Sequence, residues 1–264
     1  RSGAISKTGE TGMSDINSGR TPAEPRLAAT ILLIRDDPFE VLMVRRHAQQ
    51  VFSSALVFPG GTVDPADHAE DWLELIDGHA GLDPAQRALR IAGLRETFEE
   101  TGLFLARGAD GGWLPPPGGP EVPFIELVRA SGGRLVLSDL VHFGHWITPI
   151  QAPKRFDTHF YLCRAAAEHV AVCDGGEAVE LEWARPTDIL ARAAAGERSI
   201  LFPTRMNVRL LAESASADDA LAAARARTVF TVLPRVEKRA GGTAVVIPAE
   251  AGYGETENFH PAKE

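Results

Sequence analysis

The sequence predicts an α/β fold, and three observations carry that expectation. Apolar runs with strand character recur at 27–34, 40–44, 55–58 and 156–163, the last with Phe156, Thr158, Phe160 and Leu162 alternating. A long helix is expected over about 84–101, where Ile91, Leu94 and Phe98 fall at i, i+3 and i+7 and give it one apolar face. Shorter helical patterns at 186–195, 203–213 and 217–227 then alternate with further apolar runs.

Taken in order, residues 1–26 are rich in Ser, Gly, Thr and charge and read as a disordered N-terminal segment. Met13 is a candidate natural start, which would set residues 1–12 outside the fold. Asp36-Asp37-Pro38 supplies turn chemistry between the first two runs, so 27–34 and 40–44 read as a hairpin. Arg45, Arg46 and His47 follow at its end. A polar loop over 46–54 leads to the strand at 55–58, which Pro59-Gly60-Gly61 interrupts. Trp72, Leu73, Leu75 and Ile76 predict a helix over 70–79, closed by Gly78 and Gly81.

Asp83-Pro84-Ala85-Gln86 then opens the long helix, with Asp83 as N-cap, Pro84 at N1 and Gln86 placed to answer the cap. Gly102 is its natural C′ residue. Residues 108–123 are dense in Gly and Pro and read as a surface excursion. A short helix over 124–130 and strands at 134–137, 142–147 and 179–183 follow, and runs at 229–233 and 243–247 are expected to close the sheet. One domain over 27–251 is expected, with a loose tail at 252–264.

Composition narrows the function classes. A chain of 264 residues can bury one sizeable core. Its 27 basic and 36 acidic residues give a net charge of -9 with no basic block, so no nucleic-acid partner is expected. Cys163 and Cys173 are too few for a disulfide framework and belong to no CxxC pair, so they read as small core residues in a reducing compartment. No apolar run reaches membrane-span length and the start lacks signal-peptide character, so no membrane association and a cytoplasmic location are expected. A homodimer is allowed by the sequence but not specified by it.

The chemistry concentrates on the long helix. Glu96, Glu99 and Glu100 stand at i, i+3 and i+4 and project from one face. Like charges one turn apart cost roughly 0.2–0.5 kcal/mol, so a cation should sit there unless the face is simply solvated. Clustered carboxylate oxygens suit hard divalent ions such as Mg²⁺ or Mn²⁺, which bridge to phosphates, whereas zinc would want the His or Cys that the cluster lacks. Water activated between such an ion and a carboxylate base can attack a phosphorus. The expected reaction is phosphoanhydride hydrolysis.

The segment Gly60-Gly61-Thr62-Val63-Asp64-Pro65-Ala66-Asp67, with Arg95-Glu96-Thr97-Phe98-Glu99-Glu100-Thr101-Gly102-Leu103, resembles the Nudix hydrolase signature G-x5-E-x7-R-E-U-x-E-E-x-G-U, where U is bulky and apolar. Two features depart from it. Asp67 stands where Glu is expected, and residues 68–94 separate it from Arg95 where the motif has seven, so an insertion of about 68–83 is implied. A register from Gly81 would keep the short spacing but put Arg87 where a carboxylate belongs.

The resemblance implies an α-β-α sandwich, a mixed β-sheet between helices with helical insertions. It implies Glu96, Glu99 and Glu100 as metal ligands, Glu99 or a neighbouring carboxylate as helper of the attacking water, and Arg95 as the residue orienting the carboxylates. The backbone of Gly60 and Gly61 would pack against the start of the helix. Whether Asp67 joins the site is left open by the sequence, because its side chain is short and the insertion lies behind it. Glu177 and Glu180 are candidates for an additional base, and Arg45, Arg46, Lys154 and Arg155 for contacts with substrate phosphates.

Beyond the signature, the order of Arg45-Arg46, Val57–Asp67, Asp71-Trp72-Leu73, Trp146-Ile147-Thr148-Pro149, Arg155–Cys163 and Leu233-Pro234-Arg235 is similar to the acyl-coenzyme A diphosphatase branch of that family. The implied substrate is coenzyme A or an acyl-CoA, cut to a 4′-phosphopantetheine product and adenosine 3′,5′-bisphosphate. ADP-ribose or a nucleotide sugar is the alternative substrate. A non-catalytic nucleotide-sensing module is the alternative of another class.

Overall fold

The computed structural model describes residues 22–46, 55–166, 171–172 and 178–262. The disorder expected at the N-terminus, His47, the following loop, Cys173 and Glu177 lie outside the described residues, as does the side chain of Arg46. The chain runs β1 (Arg26–Arg35), β2 (Glu40–Arg46), β3 (Ala55–Val57), β4 (Gly60–Thr62), β5 (Ile76–Asp77), α1 (Pro84–Thr101), β6 (Ala106–Arg107), α2 (Phe124–Ser131), β7 (Arg134–Val136), β8 (Val141–Ile147) and β9 (Phe156–Arg164). It continues through β10 (Ala178–Ala184), α3 (Pro186–Ala194), β11 (Ser199–Ile200), α4 (Phe202–Leu211), α5 (Ala217–Ala226), β12 (Thr231–Val232), β13 (Arg235–Arg239), β14 (Gly242–Val246) and β15 (Glu257–Pro261).

Among the described residues the main sheet follows the order β11-β3-β2-β1-β9-β8-β12, with β10 joined to β2 and β4 to β1. It is mixed. β1 runs parallel to β9 from Arg26↔Phe156 to Ile34↔Arg164, while β8 and β9 are antiparallel. Period-two alternation along β1 sorts its residues between two cores. Ala29, Ile31 and Leu33 pack with Leu89, Ile91, Leu94 and Phe98 of α1, and Leu32 and Ile34 pack with residues of α3, α4 and α5. Helices therefore cover both faces, and a sheet buried on both sides needs the continuous apolar run that β1 carries.

Helix α1 begins and ends as its sequence prescribes. Asp83 accepts from the Gln86 backbone N–H at 2.8 Å, although the Gln86 side chain accepts from Arg90 Nη1 rather than completing a capping box. Gly102 closes the helix at φ 69°, a left-handed conformation that glycine adopts at no steric cost. Its apolar face is set tight on β1: a Cβ on Gly93 would lie 2.7 Å from Ile31 Cδ1. Thr97, in the apolar position of the signature, is fully buried and turns its hydroxyl back to the Gly93 carbonyl at 2.7 Å, which leaves its methyl to pack.

Three expectations are corrected. The helix predicted over 70–79 is instead a pair of 3₁₀ turns, Pro65–His68 and Glu70–Glu74, followed by β5. Trp72 turns inward, its indole N–H donating to the Ala66 carbonyl at 3.0 Å and its ring 5.9 Å from Phe124, while Leu73 stays exposed. The run at 243–247 does not close the main sheet; β14 lies between β13 and β15 in a separate three-stranded sheet. The expected loose tail contains β15, whose pairing with β14 is reinforced by Arg239–Glu257, with Arg205–Glu255 just before the strand. Of the runs expected to close the sheet, 229–233 does so, through β12 beside β8.

Candidate active site

Two chain segments meet at the C-terminal half of α1, not at its start as expected, because the carboxylates that seat on Gly60 and Gly61 are those of Glu100 and Glu96. From the β4 side come Gly60, Gly61 and Thr62, and just beyond them the 3₁₀ turn Pro65–His68, capped by Asp64. This cap is reciprocal. Asp64 accepts from the Ala66 N–H at 2.9 Å, and Asp67 accepts from the Asp64 N–H at 2.8 Å. The box holds Asp67 in place before the insertion begins, and Asp67 is only 2 % exposed.

Arg95 of α1 fills the space between the segments. Its Nε and Nη2 donate to the two Asp67 carboxylate oxygens at 3.0 Å each, a bidentate pair. Nη1 donates to Glu96 and to Glu99, both at 2.9 Å, and Nη2 also donates to the Thr62 carbonyl at 3.1 Å. Burial would pull the guanidinium pKa down, but hydrogen bonding to Asp67 and the charges of Asp67, Glu96 and Glu99 reverse this and hold it well above its ordinary value. Asp67, left open on sequence grounds, is thus the principal partner of Arg95.

Glu96 and Glu100 are turned onto the glycine strand, while Glu99 is held by Arg95. A Cβ on Gly61 would lie 2.3 Å from the Glu96 carboxyl carbon, so Glu96 occupies space that only glycine leaves. Glu100 is buried and accepts from the Gly60 N–H at 3.0 Å. Glu99 is the most open of the trio, with 38 % of its side chain exposed against 18 % for Glu96. The donor set is all oxygen, and the cradle beside Gly61 brings carboxylates together that would otherwise repel. That chemistry fits a hard divalent ion.

Among the described candidates, Arg45, Glu180, Lys154 and Arg155 are not brought to this cluster; Glu177 and the side chain of Arg46 lie outside the described residues. Arg45 and Glu180 face one another across β2 and β10, with Arg45 Nε donating to Glu180 at 2.6 Å, and Arg198 reaches the same carboxylate at 3.4 Å. Alternation along β2 places Arg45 with Val41 and Met43, on the face opposite α1, so neither member of the pair adds to the α1 carboxylates. Arg155 donates to the Thr148 and Ala23 carbonyls at 3.1 and 2.8 Å and ties down the start of β9, and Lys154 is exposed beside it. Cys163 is a core residue whose thiol burial pushes up to about 12.

Sequence reasoning missed a second polar cluster. His142 and His145 of β8 and Asp157 and His159 of β9 gather on the α1 face of the sheet, beside Tyr161 and Arg90. Burial first, then neighbouring cations, lowers His142 to about 4 and His159 to about 3, so both are neutral at pH 7.

The site is a mixed sheet between helices, with a carboxylate-bearing helix folded against a Gly-Gly strand. The NUDIX domain model matches residues 24–203, and the chain belongs to that family. A crystal structure of a Nudix hydrolase from Alicyclobacillus acidocaldarius superposes with a TM-score of 0.66 at 31% identity, over 75% of this chain and 96% of that one. Human acyl-coenzyme A diphosphatase NUDT19 is 27% identical over 84% of this chain and 74% of its own length. A Caenorhabditis elegans relative named as a Nudix hydrolase is 28% identical over 70% of this chain, which spans 60% of that protein. The Nudix family acts on nucleotide derivatives and typically uses divalent metals.

Proposed function

We propose that the chain hydrolyses the diphosphate of coenzyme A or an acyl-CoA, releasing a 4′-phosphopantetheine product and adenosine 3′,5′-bisphosphate. The observation that supports the hydrolytic site is the seating of Glu96 against Gly61 and of Glu100 on the Gly60 N–H, with Arg95 Nη1 bridging Glu96 and Glu99. The CoA assignment is supported by the order of motifs shared with that branch and by the name of the human relative.

Glu96, Glu99 and Glu100 would hold Mg²⁺ or Mn²⁺, which when bound neutralises the diphosphate and lowers the pKa of water. The chain's own residues do the rest. Gly60 fixes Glu100 through its N–H, Arg95 fixes the rotamers of Glu96 and Glu99, and the exposed Glu99 takes the proton of the attacking water. Oxygen from that water adds to one phosphorus, the P–O–P bridge breaks, and the bridging oxygen leaves with the other phosphate.

The test is mass spectrometry of products after incubating the purified chain and Mg²⁺ or Mn²⁺ with CoA, acetyl-CoA, ADP-ribose, NADH or a UDP-sugar. Fastest release of adenosine 3′,5′-bisphosphate from the CoA substrates is the expected result. Cleavage of ADP-ribose or a UDP-sugar alone would overturn the substrate assignment and keep the site, and no cleavage of any would favour a non-catalytic nucleotide sensor.

Gly61→Ala probes the cradle without touching a carboxylate. Its methyl takes the space of the Glu96 carboxylate, so kcat is expected to fall about 10²-fold, the scale set by a displacement of roughly 1 Å in a catalytic group. Steady-state kinetics beside a thermal melt separates this from loss of fold.

A further inference from the structure

The α1 face of the sheet carries a second constellation that the hydrolytic site does not use. His145 Nε2 lies 2.5 Å from Asp157 Oδ1, His159 Nε2 lies 3.8 Å from the same oxygen, and one donor atom from each of the three residues falls within 4.8 Å of the others. We propose that His145, Asp157 and His159 form a binding site for a borderline divalent transition-metal ion of the Zn²⁺ class. Tetrahedral bonds of about 2.0–2.1 Å put ligand atoms about 3.3 Å apart, so binding requires the 2.5 Å contact to open, the 3.8 Å one to close, and the His145 and His159 rings, stacked 3.9 Å apart at 20°, to fan toward a common point. Two imidazoles with one carboxylate also select zinc-like ions over the hard ions suited to an all-oxygen cluster.

The partners behind the ligands point their lone pairs inward. His145 Nδ1 lies 2.8 Å from Thr231 Oγ1, and His159 Nδ1 lies 3.1 Å from His142 Nε2. His142 in turn hydrogen-bonds the backbone of Gly144. With protons on these outward nitrogens, both Nε2 atoms are unprotonated toward Asp157, the arrangement by which a second layer of hydrogen bonds orients metal-bound histidines. Arg90, whose charge opposes a cation, is turned to Gln86 and to the Tyr161 ring, 4.6 Å from its centroid.

The site is separate from the glutamate cluster. Gly61, Ala29, His159 and His145 are successive partners across β4, β1, β9 and β8, and strands about 4.8 Å apart put the histidine backbones roughly 10–15 Å from Gly61. His145 and Asp157 retain 15% and 23% of their side-chain exposure, which leaves an entry path and an open coordination position.

Titration of the metal-stripped full chain with Co²⁺, followed by visible absorption, tests the proposal. The intense ligand-field bands of low-coordinate Co²⁺ are expected at one equivalent, displaced by Zn²⁺ and untouched by excess Mg²⁺. His145→Gln and His159→Gln are each expected to weaken binding at least tenfold, while Glu99→Gln leaves the bands unchanged. Wild-type chain with one equivalent of Zn²⁺ should also show shifted ¹⁵N resonances for the His145 and His159 rings, which needs no variant to fold. Absent bands, bands lost only in Glu99→Gln, or unmoved ring nitrogens would reduce the cluster to a hydrogen-bonded His-Asp pair.

Discussion

Glu99→Gln is expected to lower kcat by about 10²–10⁴-fold, the range lost when a positioned acid-base group is removed. The change keeps size and hydrogen-bonding shape. Arg95 Nη1 still finds an oxygen, now on an amide, and its firmer contacts to Asp67 and Glu96 remain. Because the Glu99 side chain is more than a third exposed, its ion pair with Arg95 adds at most about 1 kcal/mol to stability, so the variant should melt within a few degrees of the parent. Steady-state kinetics with a melt and a Mn²⁺ titration checks all three expectations. An unchanged rate would remove Glu99 from the chemistry, and a collapsed melt would mean that it is structural instead.

Asp67→Ala is expected to have the largest effect on stability. The Asp67 side chain is 1% exposed and that of Arg95 14%, so deleting the carboxylate leaves a guanidinium and the Asp64 N–H partly buried with their principal acceptor gone. Breaking a buried pair on one side costs about 3–5 kcal/mol. At roughly 2–4 °C per kcal/mol for a domain of this size, Tm should drop by on the order of 10 °C. Asp67→Glu restores the acceptor with one more methylene, as in the family signature, and should recover much of the loss. A drop of only a degree or two in the Ala variant would show that Arg95 is held by Glu96 and Glu99 alone.

Much of this arrangement was readable in advance. The shared face of the glutamates, the Gly-Gly break and both ends of α1 follow from local rules, helical spacing, capping chemistry and the left-handed residue at Gly102, whereas Arg95 was read from the family resemblance. Asp67 was left open because chain distance was allowed to stand for spatial distance. What keeps it in the site is a local device, the Asp64–Asp67 capping box, together with Trp72 anchoring the start of the insertion. Arg45 and Glu180 each looked suited to the site because charge alone does not reveal a cross-strand partner, and in the fold they satisfy one another.

The histidine cluster was hidden for a different reason. His142 and His145 are three apart, which on a regular strand sends them to opposite faces. The register shift between His142 and Gly144 inserts an extra residue and brings both rings to one side, their centroids 6.3 Å apart. A bulge of that kind leaves little trace in the alternation of apolar residues.

The Asp67–Arg95 pair also closes a ring of chain, and its size bears on how freely the intervening segment can vary. Closure entropy grows only with the logarithm of length, so widening the gap from seven residues to the 27 of 68–94 costs about 1.2 kcal/mol by the (3/2)RT ln n relation. Part of that span is helix, which lowers the figure further. One bidentate ion pair at the neck is enough to offset it, so the segment between can lengthen and lend a strand, β5, to the small β5-β7-β6 sheet without loosening the clamp on the glutamates.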